Sequence, residues 1–227
     1  LAKLCNTRLD AALLAWQMNH CEAQVLLTDR EFSGVIAKAQ SIMGDARPVV
    51  IKVEDDTAPA GAAVGAMSYE QFLSGGDPAF AWSLPHDEWD ALALNYTSGT
   101  TGVPKCAMLS HRNLLQMSLQ YGADIDCVQP GDTHLHVAPL SHGSGLYSLP
   151  HLFNGGHQVI EPAFAPDVVF DALQRYPRVS FFAAPTMLTR MLRASSGLPN
   201  PAGQLQTLTY GGAPMYVTDL QHCLSVF

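Results

Sequence analysis

Between Thr133 and Tyr210, short apolar runs alternate with segments whose apolar residues recur at helical spacing, and this rhythm restricts the fold more than any other property of the chain. Strands are expected at Thr133 to Ala138, His157 to Ile160, Val179 to Phe182 and Leu205 to Tyr210, and helices at Leu146 to Phe153, Pro166 to Arg175 and Pro185 to Ala194. Strands joined through helices run parallel, and parallel sheets are covered by helices on both faces. An α/β fold with parallel or mixed sheets is the expectation.

The first half keeps the same rhythm less cleanly. Leu9, Ala12, Leu13 and Trp16 fall at helical spacing, with Asn6 or Thr7 as the expected cap. Gln24 to Thr28 and Pro48 to Val53 read as strands, and Glu31 to Ile42 between them as a helix. Glu54 to Met67 and Ser74 to Glu88, rich in Asp, Gly and Pro, read as loops. Ala91 to Leu94 and Ala107 to Leu109 are strand-like, and Ser110 should cap a helix running to about Tyr121 with Leu114, Met117 and Tyr121 on one face. Val128-Gln129-Pro130-Gly131-Asp132 is a turn, and the expected organisation is one α/β unit over 1–130 and a second, incomplete one over 131–227. With 48% apolar and 14% charged residues, the 227-residue chain can bury a sizeable core.

In open α/β sheets ligands collect at the carboxyl ends of strands, and three unusual blocks each follow an expected strand. The first is Tyr96-Thr97-Ser98-Gly99-Thr100-Thr101-Gly102-Val103-Pro104-Lys105. Glycines let backbone N–H groups turn toward an anion, hydroxyls add donors, and Lys105 adds a compact charge. One such charge about 4 Å from a phosphate oxygen is worth roughly 4 kcal/mol at an effective dielectric near 20. The spacing differs from a Walker A loop, which needs four residues between its glycines and then Gly-Lys-Ser/Thr. A phosphate cradle and an ordinary hydroxyl-rich surface loop both fit, and Lys105 alone could be a plain solvated lysine.

The second block is Pro139-Leu140-Ser141-His142-Gly143-Ser144-Gly145, and the third is Tyr210-Gly211-Gly212-Ala213-Pro214-Met215. His142 can be structural or catalytic. Its surroundings lack the Gly-x-Ser-x-Gly spacing of a hydrolase elbow. The small residues Gly211, Gly212 and Ala213 can be a strand-ending turn, or can let a flat ring approach the backbone. His134 and His136 share a strand face, but no third ligand stands at a recognisable spacing, so no metal site is expected.

Together these blocks resemble the adenylate-forming enzymes: acyl- and aryl-CoA synthetases, luciferases and peptide-synthetase adenylation domains. Thr97 to Lys105 is similar to that family's signature loop. Pro139 to Gly145 is similar to its Pro-aromatic-His-x-x-Gly segment, and Tyr210 to Met215 to its Gly-Gly-Ala-Pro segment. Asn6-Thr7-Arg8-Leu9-Asp10 is similar to a stretch after an early strand in acyl-CoA synthetases.

The resemblance implies the large-domain fold of that family, truncated at both ends, with the carboxy-terminal domain absent. It implies an acid-thiol ligase that uses ATP and Mg²⁺ to make an acyl-adenylate from a fatty acid or related small-molecule carboxylate and passes the acyl group to coenzyme A. Thr97, Ser98, Gly99, Thr100, Thr101, Gly102 and Lys105 would hold the ATP phosphates. His142 would be catalytic, where carboxylate meets nucleotide, and Gly211, Gly212, Ala213 and Pro214 would line the adenine and acyl pocket. Counterparts of the family's Mg²⁺, ribose and adenylation-lysine residues are expected outside these 227 residues, so the chain alone should not turn over. A carrier-loading adenylation domain and a non-catalytic nucleotide-binding fragment stand as alternatives. The family usually has glycine where this chain has Cys106. A positive φ there would cost a cysteine roughly 1–2 kcal/mol, and an extended conformation almost nothing.

Other features set bounds. A net charge of −8 argues against a nucleic-acid partner. No apolar run is long enough for a membrane span, and no secretion signal is expected. Cys5, Cys21, Cys106, Cys127 and Cys223 are odd in number and form no Cys-x-x-Cys pair, so reduced thiols and a cytoplasmic location are expected.

Overall fold

The computed structural model describes residues 5–45, 47–56, 58–59, 61–62, 64–96, 104–195 and 204–227. Its chain divides into two compact units, Leu1–Met108 and Leu109–Phe227.

In the first unit, α1 (Ala11–His20) and α2 (Ser33–Met43), the latter entered through a 3₁₀ turn (Arg30–Phe32), pack on a parallel sheet of β1 (Val25–Asp29), β2 (Val49–Val53) and β3 (Met67–Ser68), in that order. The helix α3 (Tyr69–Ser74) follows directly, started by a capping box in which Ser68 and Gln71 bond each other's backbone N–H. The first cap differs from expectation. Asp10, not Asn6 or Thr7, closes the N-terminus of α1 by accepting from the Leu13 N–H at 2.8 Å. The buried face also differs: Leu14, Ala15 and Met18 join Ile36, Ala39, Met43 and Val50 in the core, while Trp16 is only half-buried. The cause is that Ala11-Ala12-Leu13-Leu14-Ala15-Trp16 is apolar all round, so spacing reveals a helix but not its phase.

The strand β4 (Ala91–Tyr96) pairs with β5 (Cys106–Ser110) in a two-stranded sheet. Ser110 ends β5 and caps α4 (His111–Asp124), as expected, with Asn113 completing the box. Tyr121 is buried on this helix, and Leu114 and Met117 are half-buried on the same side.

The second unit is built on a wholly parallel sheet ordered β7-β6-β8-β9, where β6 is Thr133–His136, β7 His157–Ile160, β8 Val179–Ala183 and β9 Leu205–Tyr210. Period-two alternation sorts its two faces. Leu135, Val179, Phe181 and Ala183 pack with α7 (Pro166–Arg175) and α8 (Pro185–Ala194) through Val169, Phe170, Leu173, Leu188 and Met191. Each of these buried side chains larger than alanine stabilises the fold by about 1.5–3 kcal/mol. The opposite face presents His134, His136, Ser180 and Phe182 toward α5 (Gly143–Leu146) and α6 (Ser148–Phe153). The single helix expected over Leu146 to Phe153 is therefore two short ones, separated at Tyr147. The last element, α9 (Val217–Val226), packs on α8 and buries Cys223 in the same core.

The turn at Pro130–Gly131, with Gly131 at φ +87°, lies within the second unit. The segment leading to it is fastened to the sheet, since the Asp126 carboxylate accepts from Thr207 Oγ1 at 2.8 Å and from Gln206 Nε2 at 3.2 Å.

Candidate functional site

The first motif leaves the end of β4. Tyr96 is the last residue of that strand, and Thr97, Ser98, Gly99, Thr100, Thr101 and Gly102 lie outside the described residues. Lys105 is exposed immediately before β5. The entry to the motif is anchored to α1: the Tyr96 hydroxyl lies 2.6 Å from His20 Nδ1, and Trp16 stacks on the His20 ring at 5.0 Å while meeting Tyr96 edge-on. Burial, with the thiols of Cys21, Cys106 and Cys5 nearby, pushes the Tyr96 phenol up to about 12, so it stays protonated. Cys106 sits in extended backbone at the start of β5 and is not among the positive-φ residues. A cysteine in place of glycine therefore carries no backbone strain.

The second and third motifs belong to the second unit. The sheet runs from β6 outward to β7, returns across to β8 and continues to β9, so its switch point lies between the carboxyl ends of β6 and β8. After β6 the chain turns, with the His142 N–H donating to Pro139 O at 3.0 Å, and His142 becomes the residue that opens α5. Its ring is exposed, with Nδ1 2.8 Å from Ser141 Oγ. After β9, Gly211 half-buried and Gly212, Ala213 and Pro214 exposed lead into α9. Gly212 adopts φ +85°, a conformation that excludes most side chains.

Phe182 brings these two motifs together. A Cβ built on Gly143 would come within 2.8 Å of its ring, and one on Gly211 within 3.4 Å. The Tyr147 ring packs against it at 6.0 Å between centroids. The half-buried Phe182 ring is thus shared by the turn carrying His142 and the turn carrying the small residues. Sequence reasoning missed Phe182. The only available signal was its alternation with Phe181, which says that one of the two faces the core but not what the other meets.

Beneath the His142 turn lies a buried group that spacing revealed only in part. His134 and His136 share a face as expected, and His151 of α6 joins them with its ring 4.4 Å from that of His134. The His136 Nε2–H donates to Gln158 Oε1 at 2.8 Å, and the Ser144 hydroxyl donates to His136 Nδ1 at 2.8 Å. His134 Nε2–H points to the Ser144 carbonyl at 3.3 Å, and His151 Nδ1–H donates to the Tyr147 carbonyl at 2.9 Å. Burial pushes all three imidazoles below their ordinary range, His134 to about 3, helped there by the other two rings. They are neutral at pH 7. Among the described residues no group of three or more His, Cys, Asp or Glu is arranged to hold a metal ion, and no helix is long and apolar enough to cross a membrane.

Known proteins give this arrangement a context. The profile of the AMP-binding enzymes matches residues 3–227. An acetate–CoA ligase of Humulus lupulus is 31% identical over 92% of the chain, and a peroxisomal acetate/butyrate–CoA ligase of Arabidopsis thaliana is 32% identical over 92%. The chain spans about two fifths of each, 39% of their lengths. Among solved structures, ATP-bound MatB from Rhodopseudomonas palustris superimposes with a TM-score of 0.79 at 27% identity, over 98% of this chain and 42% of that one. The parallel sheets flanked by helices are thus part of the large domain seen in adenylate-forming enzymes. The matching profile, the relatives and the fold agree, and the chain belongs to the AMP-binding enzyme family.

Proposed function

We propose that the whole protein is an ATP-dependent carboxylate–CoA ligase acting on a small apolar acid. In the first half-reaction a carboxylate oxygen attacks the α-phosphorus of ATP, an O–P bond forms, and pyrophosphate leaves. In the second, the sulfur of coenzyme A attacks the acyl carbon, a thioester forms, and AMP departs. The observation that carries this reading is the meeting of Gly143 and Gly211 on Phe182 at the carboxyl edge of the sheet, in a chain whose relatives are named as CoA ligases.

In this reading Thr97, Ser98, Gly99, Thr100, Thr101, Gly102 and Lys105 hold the phosphates, where backbone N–H groups and one cation favour charge already spread over the leaving pyrophosphate. His142, exposed beside Ser141, stands where the acid approaches the nucleotide. Gly211, Gly212, Ala213 and Pro214 give the adenine ring a surface without bulky side chains. Mg²⁺ would neutralise phosphate charge, and no described residue is assigned to it. Apolar specificity is supported by Leu140, Leu146, Tyr147 and Phe182 around the His142 turn. Neither 139–147 nor 211–217 contains an Asp or Glu to pair with the ammonium of an amino acid; burying that charge unpaired would be costly.

The test is pyrophosphate exchange by the intact protein with short fatty acids and with amino acids, followed by AMP release on adding coenzyme A. Exchange dependent on fatty acids, weakened in Lys105→Ala and His142→Ala, is expected. Exchange driven only by amino acids would overturn the reading.

A further inference from the structure

The turn that carries His142 is gripped from beneath, and the grip is made by side chains that no step of the proposed reaction uses. Ser144, two residues past His142, is fully buried and held twice. Its hydroxyl donates to His136 Nδ1 at 2.8 Å, and its carbonyl accepts from His134 Nε2–H at 3.3 Å. His136 is in turn oriented by Gln158 on the neighbouring strand β7, whose Oε1 accepts from Nε2–H at 2.8 Å. That second bond fixes the tautomer, leaving Nδ1 as an acceptor for Ser144.

Other contacts close the turn from above and from the side. Gly145 lies against the Leu140 carbonyl so tightly that no Cβ could fit, and a Cβ on Gly143 would require the Phe182 ring or the turn to shift. The His142 N–H is bonded to Pro139 O, and the Ser148 hydroxyl donates to the Gly145 carbonyl at 2.6 Å. His142 itself remains exposed. An exposed imidazole on a turn held at Gly143, Ser144 and Gly145 is a preorganised group, and part of the polar hold comes from His134 and His136 of strand β6.

We propose that Ser144, clamped by His134 and by the His136–Gln158 pair, is the positioning residue that sets the His142 turn for the adenylation step. The inference rests on the reading of His142 given above. Ser144 touches neither nucleotide nor acid, and acts only through the placement of the turn.

A double-mutant cycle on the intact protein tests it, read by carboxylate-dependent pyrophosphate exchange. Ser144→Ala is expected to lower kcat roughly tenfold, a barrier increase of about 1.4 kcal/mol, while the KM for ATP changes less than about twofold. Ser144→Thr, which keeps the hydroxyl, should recover most of the rate. Adding Ser144→Ala to His142→Ala should cost little more than His142→Ala alone, because a clamp has no use once the clamped ring is gone. Gln158→Ala serves if Ser144→Ala fails to fold; it leaves Ser144 intact but frees the His136 tautomer, and a loss of about fivefold in kcat is expected. Additive losses in the double variant, or a KM for ATP that rises as much as kcat falls, would overturn the positioning role alone. Wild-type exchange in His142→Ala would instead overturn the reading of the site, and the positioning role with it.

Discussion

Gly143 lies so close to the Phe182 ring that a methyl group in place of its hydrogen would sit 2.8 Å from the nearest ring carbon. This contact links the opening of α5 to the carboxyl end of strand β8, and it makes the two positions interdependent.

Gly143→Ala should therefore shift either the ring or the turn, at a cost of about 1–3 kcal/mol, the usual penalty of overpacking. Phe182→Leu removes the obstructing ring edge, so the pair Gly143→Ala/Phe182→Leu should lose less than the sum of its parts. Chemical denaturation of the four proteins measures this. Strict additivity would show that the contact does not decide why glycine stands there.

The far end of the same sheet is held by charge. Asp132, almost fully buried, receives two hydrogen bonds from Arg178 at 2.7 and 3.2 Å and one from the Gln129 N–H at 2.8 Å. Burial alone would push its carboxyl up, but these bonds outweigh it and hold the group below the usual carboxylate range. Asp132→Asn should cost about 1.5–3 kcal/mol, as expected for hydrogen bonds to a charged group. Arg178 occupies φ +45°, so Arg178→Gly should be less damaging than Arg178→Ala by about 1 kcal/mol, through relief of backbone strain. Equal melting temperatures for the two would contradict that.

Acid should loosen the second unit through its histidines. His134, His136 and His151 all have their pKa lowered from 6.5 by burial. The folded form therefore binds fewer protons than the unfolded form, and their contribution is fully present above pH 6.5 and is lost as pH falls below it. The loss approaches about 1.4 kcal/mol per pH unit per histidine, continuing toward pH 3 for His134. Replacing His151 by Gln should flatten the dependence of the melting temperature on pH between 7 and 5. An unchanged slope would mean that His151 takes up its proton over the same pH range in the folded and unfolded forms.

How far the sequence reaches can be judged element by element. The bounds of α7 and α8 were legible because each opens on a proline, Pro166 and Pro185, whose missing N–H costs nothing in the first turn. The strands β7 and β9 were legible as short runs with turn residues before and after them. The helix α3 was not read, although its Ser68–Gln71 capping box stood in plain sight. The helix α9 was also missed, since Val217 and Thr218 at its start favour extended backbone as readily as helix. The three motif blocks could be named because each follows a strand. Their partners could not: Phe182 meets Gly143 and Gly211, and His151 meets His134, through contacts between elements distant in the chain. Hydrophobic spacing carries no information about such pairs.

The bond between His20 and Tyr96 joins positions 76 residues apart. Closing a loop of that length is entropically costly, though each doubling of length adds only about 0.6 kcal/mol. The strand that opens the hydroxyl-rich motif is thus tied at its final residue to the first helix of the chain. The place where that motif leaves the sheet is therefore fixed in part by a side chain of α1, reached only when the two ends of the segment between them are brought together.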